Sequence, residues 1–274
     1  MPELPEVETV RRHLAPVVEG HRMVGVELRH PRTGRRNLNP GDVIDRLRGQ
    51  TVERLDRTGK FLLATLGSEM TWVIHLGMSG HLSIVKPDAP EAKHTHFLAR
   101  TDAGAEVRLV DPRTFGFVAV LTPDELETTL HLGRDAYRDL PRVRELETAL
   151  TGRTAPIKAL LLDQRIIAGL GNIYTDEILF RAGVRPTRQG GDLEHGELTK
   201  IRSSIRSVLK AGIAAGGTSL DDLAYLLPDG QAGQFLGRLR VYGREGGPCR
   251  RCGTPIERVV VAGRSSFFCP VCQR

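Results

Sequence analysis

Over the first twenty residues Leu4, Val7, Val10, Leu14 and Val17/Val18 recur at steps of three and four. That spacing places apolar side chains on one face of a helix, and Gly20 is a natural stop. From Met23 to about Val120 the pattern shortens to β-type runs punctuated by Gly, Pro and Asp: Val24–Leu28, Phe61–Leu66, Trp72–Leu76, Leu82–Val85, Phe97–Thr101, Glu106–Val110 and Phe117–Leu121. Many short strands at such spacing predict a β-sandwich, with the Pro-, Arg- and Asn-rich stretch Pro31–Gly41 as a long loop. Thr122-Pro-Asp-Glu125 is a good helix start, after which the pattern is helical through about Gly217, with Leu198, Ile201, Ile205, Val208 and Leu209 on one long face. Ala155–Ala168 predicts a helix, Gly169-Leu-Gly-Asn172 a break, and Ile173–Glu177 the start of a second helix. The expected fold is α+β. A β-sandwich flanked by helices spans 1–121, a linker and the start of the helical domain 122–140, the helical domain 141–234, and a terminal cysteine-bearing module 235–274.

Charge adds to this picture. With 274 residues, 40% hydrophobic and 26% charged, the chain reads as an ordinary globular protein long enough for two cores. It has no apolar run of about 18 residues and no charged-then-apolar leader, so a cytoplasmic protein is expected. The net charge is +6, and the segment from Phe235 to Arg274 carries that much by itself, with eight arginines against Glu245 and Glu257. A polyanionic partner is implied, because guanidinium forks suit phosphates better than solubility alone requires. All four cysteines lie in the same segment, as Cys249-Arg-Arg-Cys252 and Cys269-Pro-Val-Cys272, with sixteen residues between the pairs. Two such knuckles can place four thiolates tetrahedrally around one Zn²⁺, with Ile256–Val261 and Ser265–Phe268 as a hairpin between them. Disulfides are the lesser alternative in a cytosolic chain. With four sulfur ligands no position is left for water, so the metal is expected to be structural.

The opening Met-Pro-Glu carries the chemistry. Removal of Met1 would expose the secondary amine of Pro2 beside the Glu3 carboxyl. An α-amine titrates at roughly 7.7–8, against about 10.4 for lysine, so an appreciable fraction is nucleophilic near neutral pH. Its attack on a sugar C1′ gives an iminium, and Glu3 is close enough to move protons. By themselves these residues read more readily as a merely processed start. Similarly, the Gly169–Asn172 elbow could bind phosphate through freed N–H groups and Asn172, or be a plain helical hairpin.

Together, Met1-Pro-Glu-Leu-Pro-Glu-Val-Glu-Thr9, the Asp163-Gln164…Gly169-Leu-Gly-Asn-Ile-Tyr174 elbow and the four-cysteine module resemble the formamidopyrimidine-DNA glycosylase family, bacterial enzymes that remove 8-oxoguanine and ring-opened purines. Further landmarks agree in order along the whole chain: Thr58-Gly-Lys60-Phe61, His75-Leu-Gly-Met-Ser-Gly80, Asp111-Pro-Arg-Thr-Phe-Gly116 and Val241-Tyr-Gly-Arg244. The resemblance implies a helix-two-turn-helix domain, a zinc ribbon with one structural Zn²⁺, and a monomer acting on double-stranded DNA that contains oxidised bases, in the bacterial cytoplasm with the nucleoid. It implies a catalytic set of Pro2, Glu3, Lys60 and Arg264. Pro2 would form a Schiff base with C1′, Glu3 would shuttle protons, Lys60 would serve near the lesion phosphate and in elimination, and Glu6 would support the helix start. Arg264, Asn172, Lys158 and His94 are implied DNA contacts, while Met78, Arg113 and Phe115 would enter the duplex and fill the space of the flipped nucleotide. Residues 216–222 match a lesion-capping loop. No metal or acid–base role is read into the histidines.

Two departures are visible. Leu132-Gly-Arg-Asp-Ala-Tyr137 replaces a common Leu-Gly-Pro-Glu-Pro-Leu run, and Thr114 stands where a second arginine is frequent. Two other functions stay open: an endonuclease VIII-type glycosylase for oxidised pyrimidines, and a DNA-damage binder without catalysis. The Leu-Pro-Glu-Val-Glu-Thr continuation and the Met78/Arg113/Phe115 trio favour the purine branch.

Overall fold

Helix α1 spans Leu4–Val18, and of the apolar positions that predicted it Leu4, Val7, Val10, Leu14 and Val18 are buried and Val17 is half-buried. The chain leaves it through Gly20, whose φ of +79° is open to glycine at little cost. The computed structural model describes residues 1–219 and 225–274. Two units emerge, Met1–His131 with Ala215–Gln234, and Leu132–Ala214 with Phe235–Arg274.

In the first unit, β1 (Met23–Leu28), β2 (Val52–Thr58), β3 (Phe61–Leu66), β4 (Thr71–His75), β5 (His81–Val85), β6 (Thr95–Thr101), β7 (Glu106–Val110) and β8 (Phe117–Leu121) form two four-stranded sheets. Their orders are β2-β3-β4-β8 and β1-β6-β7-β5, with every pairing antiparallel. Leu62, Ala64, Trp72, Ile74, Val118 and Val120 of one sheet share a core with Phe97, Ala99, Val107 and Leu109 of the other and with the apolar stripe of α1. Each large apolar side chain so buried is worth roughly 1.5–3 kcal/mol. The alternate residues of β3, β4 and β8, among them Leu63, Val73, Phe117 and Ala119, form a second cluster. Burial on both faces explains why Phe117–Leu121 reads as an unbroken apolar run.

Strand β2 escaped the sequence pattern because its residues Val52-Glu-Arg-Leu-Asp-Arg-Thr58 are mostly charged and a register shift falls between Val52 and Arg54. The stretch expected as a loop contains one 3₁₀ turn, Pro31–Gly34, followed by helix α2 at Asp42–Leu47. Asn37 fastens this stretch to β8: its amide donates to the Val118 carbonyl (3.1 Å) and its oxygen accepts from the Val120 N–H (2.9 Å). Helix α3 (Pro123–Thr129) starts with the expected Thr122/Glu125 capping box.

The second unit contains α4 (Val143–Leu150), α5 (Ile157–Leu162), α6 (Asn172–Ala182) and α7 (His195–Ala214). It also holds the two-residue strands β9 (Arg134–Asp135) and β10 (Ile167–Ala168), which pair in parallel, and the hairpin β11 (Glu257–Val261) with β12 (Arg264–Phe268). The predicted helix 155–168 is cut to α5, because the Asp163 carboxylate captures the Arg165 N–H (3.0 Å) and so offers the backbone an alternative to the helix. Leu198, Ile201, Ile205, Val208 and Leu209 of α7 are buried as their spacing required. Among the described residues no helix is long and apolar enough to cross a membrane.

Candidate functional site

The N-terminal residues are gathered by one carboxylate. Met1 is exposed, whereas Pro2, Glu3 and Glu6 are buried at the start of α1. One Glu6 oxygen accepts from the Glu3 N–H (2.8 Å) and the other from the Thr218 N–H (2.7 Å). Gly217, at φ +85°, lies so close that a Cβ would meet Glu6 Oε1 at 2.7 Å. Glu6 thus couples the Pro2–Glu3 start to the segment expected to cap the lesion. Residues 216–219 of that segment are described, and 220–222 lie outside the described residues.

Lys60 follows Gly59 (φ +56°) in a two-residue hairpin turn, since Thr58 pairs with Phe61. The lysine is only 5% exposed. Its turn is held by Arg57, which donates to the Gly59 carbonyl (2.9 Å) and to Glu8 of α1 (3.2 Å). Neither partner of this Glu8–Arg57 pair was legible in sequence, since the pairing joins residues 49 positions apart. Burial alone would raise the Glu8 carboxyl, but hydrogen bonds and charge from Arg11, Arg12 and Arg57 outweigh it and hold the pKa near 2. Glu8 therefore stabilises the fold fully above its ordinary 4.5, and that contribution disappears as pH falls towards 2. Glu8→Gln should be less stable than wild type at pH 7 and show a flatter acid-unfolding limb between those values. Identical acid limbs in circular-dichroism titrations would contradict this. His75, stacked on Phe117 at 5.4 Å, is pushed down to about 4 by burial and by the charges of Lys60, Arg35 and Arg36. It is neutral at pH 7, and its Nδ1 accepts from the Gly77 N–H (3.1 Å).

The trio Met78, Arg113 and Phe115 sits on two interlocked loops of this unit. Met78 (41%) and Phe115 (37%) are among the few exposed large apolar side chains, and the Arg113 guanidinium lies 4.9 Å from the Phe115 ring centre. Asp111, buried, accepts from Ser79 Oγ (2.6 Å) in one loop and from the Gly116 N–H (2.7 Å) in the other. A Cβ on Gly77 would collide with the Phe115–Gly116 backbone, so the close approach demands glycine. Arg35 adds bonds to the Phe115 and Gly116 carbonyls, both 2.7 Å. Thr114 has φ +55°, a strained value that the surrounding bonds maintain. Asp111→Ala would remove the acceptor of three donors, Ser79 Oγ, the Arg113 N–H and the buried Gly116 N–H, the last at about 1–3 kcal/mol, so it should lower the melting temperature and loosen both loops. An unchanged melting curve would refute the stapling role. His94, at φ +66°, is half-buried with its ring 6.1 Å from that of His96.

In the second unit the elbow and the cysteine hairpin meet at one carbonyl. Ser265 O accepts from Asn172 Nδ2 (3.1 Å) and from Lys158 Nζ (2.8 Å). Lys158 is fully buried and pairs with Asp176 at 2.8 Å. Its expected reach to a phosphate is thus replaced in this conformation by an inward bond, because an ammonium withdrawn from water must keep its counter-charge. Asp176 also accepts from Ser266 Oγ (2.8 Å) and the Phe267 N–H (2.9 Å), and burial pushes its pKa up to about 6 against the pull of Lys158. Arg264 stands exposed just beyond the Ala262–Gly263 turn, where both residues have positive φ as a type I′ turn requires. The elbow itself is laced by Gln164, which donates to the Leu162 and Leu170 carbonyls (2.8 and 2.9 Å) and accepts from the Gly169 N–H (2.9 Å).

The four cysteine sulfurs lie within 4.8 Å of one another. Observed separations of 4.0 Å (Cys249–Cys272) and 3.5 Å (Cys252–Cys269) bracket the roughly 3.8 Å expected between sulfurs in a tetrahedron with Zn–S bonds of about 2.3 Å. None of the cysteines is in a disulfide. Phe180, Val241 and Ile256 pack around the cluster. The donor set fits one structural Zn²⁺.

This combination of folds falls in the helix-two-turn-helix class of DNA glycosylases. Residues 1–118 match the formamidopyrimidine-DNA glycosylase N-terminal domain, 132–223 its H2TH domain, and 246–274 a zinc finger found in FPG and IleRS. The chain belongs to the formamidopyrimidine-DNA glycosylase family. It is 44% identical to the formamidopyrimidine-DNA glycosylase of Phenylobacterium zucineum and 45% to that of Rhizorhabdus wittichii, covering all of each chain. Among solved structures it is similar to MutM (FPG) from Thermus thermophilus, with TM-score 0.88 and 40% identity over 99% of this chain and 98% of that one. It is also similar to Lactococcus lactis Fpg in complex with abasic-site DNA, with TM-score 0.90 and 33% identity over 99% of both chains. The same Lactococcus protein has been crystallised with DNA containing Fapy-dG and with DNA containing an oxidised pyrimidine.

Proposed function

We propose that this protein is a bifunctional DNA glycosylase and AP lyase of base-excision repair, removing oxidised purines from double-stranded DNA in the bacterial cytoplasm, at the nucleoid. The observation that carries the reading is the buried Pro2–Glu3 start, tied through Glu6 to Thr218. Once Met1 is removed, the Pro2 nitrogen bonds to C1′ as the C1′–base bond breaks; the electron pair leaves with the base, which takes up the proton that the substituted amine gives up. Glu3 delivers a proton to the opening sugar oxygen, giving the iminium. Loss of a C2′ proton then expels the 3′ phosphate, and the next elimination expels the 5′ phosphate. Lys60, which a buried ion pair positions, serves the lesion phosphate and these eliminations. Asn172 and Arg264 grip flanking phosphates, with His94 as a further contact and Lys158 as the anchor of the hairpin, while Met78, Arg113 and Phe115 replace the flipped nucleotide. In this reading residues 1–121, together with the segment 215–234 that belongs to the same unit, carry the chemistry, and 141–214 and 235–274 the grip on the strand.

Borohydride reduction during turnover tests the proposal. Processed wild-type protein should form a covalent adduct with a duplex carrying 8-oxoguanine opposite cytosine, and protein retaining Met1 should not. Absence of an adduct from fully processed protein would instead support a catalytically inactive binder. The oxidised-pyrimidine complex of the Lactococcus relative makes an endonuclease VIII-type preference the second reading. Faster excision of thymine glycol than of 8-oxoguanine would establish that preference here.

A further inference from the structure

The second unit holds a cleft of about 570 Å³ that the chemistry above does not use. Five arginines line it: Arg181 near the end of α6, Arg238 and Arg240 before the first knuckle, and Arg250 and Arg251 within it. All five are exposed, and none forms an ion pair among the described residues. The lining carboxylate, Glu177, is already engaged by the N–H groups of Arg240 (2.8 Å), Val241 (2.9 Å) and Tyr242 (3.0 Å). Its oxygens are taken up by the backbone rather than by any guanidinium, and its single charge offsets only part of the five. Phe180, Val208 and Phe235 supply an apolar floor. Four of the eight arginines in the C-terminal excess thus face this cleft.

Its position separates it from the proposed phosphate grip. Asn172 opens α6 and Arg181 lies nine residues on, about 13 Å along the helix at 1.5 Å per residue. Arg264 likewise stands at the turn end of the hairpin, whereas Arg250 and Arg251 belong to the cysteine knuckle before its other end. A duplex is too wide for a cleft of this volume. Single-stranded bases need free aromatic faces, but Phe180 is covered by Arg251 at 4.7 Å and Phe235 is stacked on Tyr174 at 5.4 Å. A cationic rim over an apolar floor instead complements carboxylates interleaved with aliphatic side chains, and planar guanidinium forks bind carboxylates in pairs.

We propose that this cleft docks a short, flexible acidic peptide segment of a partner protein, with its carboxylates in the arginine forks and a leucine-like side chain on the floor. The test uses full-length zinc-loaded protein and a fluorescein-labelled Asp-Glu-Leu-Asp-Asp-Leu-Glu-Asp peptide, read by anisotropy. Wild type should bind it, the peptide with both leucines replaced by serine should bind more weakly, and a saturating lesion duplex should not displace it. Arg181→Glu combined with Arg238→Glu should weaken peptide binding about tenfold or more, with zinc content and lesion-duplex affinity as controls for folding. Unchanged binding in that variant would overturn the proposal. So would displacement by the lesion duplex, indifference to the leucines, or tighter binding of an oligo-dT through the same arginines. Displacement and leucine dependence need only the wild-type protein.

Discussion

Glu3→Gln should slow single-turnover release of 8-oxoguanine by about 10²–10⁴-fold, the usual contribution of a positioned proton donor, while affinity for the lesion duplex stays near the wild-type value. Glutamine preserves the size of the side chain and the α1 start, where the Glu3 N–H is held by Glu6. What is lost is the exchangeable proton beside the Pro2 amine. Because Glu3 is 2% exposed, bulk water has little access to act in its place. Quenched-flow excision together with equilibrium binding separates the two effects. A rate within a few-fold of wild type would remove Glu3 from the mechanism, and an equal loss of binding would make its role structural.

Removing zinc should have the largest effect on the second unit. A four-cysteine site of this kind contributes roughly 10–16 kcal/mol of binding free energy that is also folding free energy. The module has only a small apolar cluster, built on Phe180, Val241 and Ile256, to hold it otherwise. On chelation, or in Cys252→Ser, the β11–β12 hairpin should unfold and release Ser265 O from Asn172 and Lys158. Arg264 would then lose its fixed position, leaving Lys158 and Asp176 to face water. Affinity for lesion DNA should collapse, while the sandwich, whose core shares no residue with this cluster, keeps its β signal. Mobility-shift and circular-dichroism measurements before and after chelation check both parts, and undiminished DNA affinity in metal-free protein would exclude the stapling role.

Much of the organisation was open to inspection in the chain because it is local. The period of α1, the β-type runs, the Thr122/Glu125 cap and the Cys-x₂-Cys spacing each express a constraint within a few residues, and each appears in the folded chain. Strand β2 was hidden because charged residues and a bulge mask its alternation. The helix predicted over 155–168 was too long because a short aspartate side chain at 163 competes for backbone N–H groups, which an apolar pattern cannot register.

The site divides along the same line. Residue types and order alone pointed to the proposed Pro2–Glu3 pair, the four zinc ligands and the family resemblance, since amine, carboxyl and thiolate chemistry belongs to the residues themselves. Only the tertiary structure decided which groups hold those residues in place. Glu8 pairs with Arg57 across 49 positions, Glu6 reaches Thr218 across 212, and Lys158 turns inward to Ser265 across 107. Burial decided the last of these. A lysine that sequence would send to a phosphate is fixed on Asp176, because an unpaired ammonium in the interior costs more than any exposed contact returns.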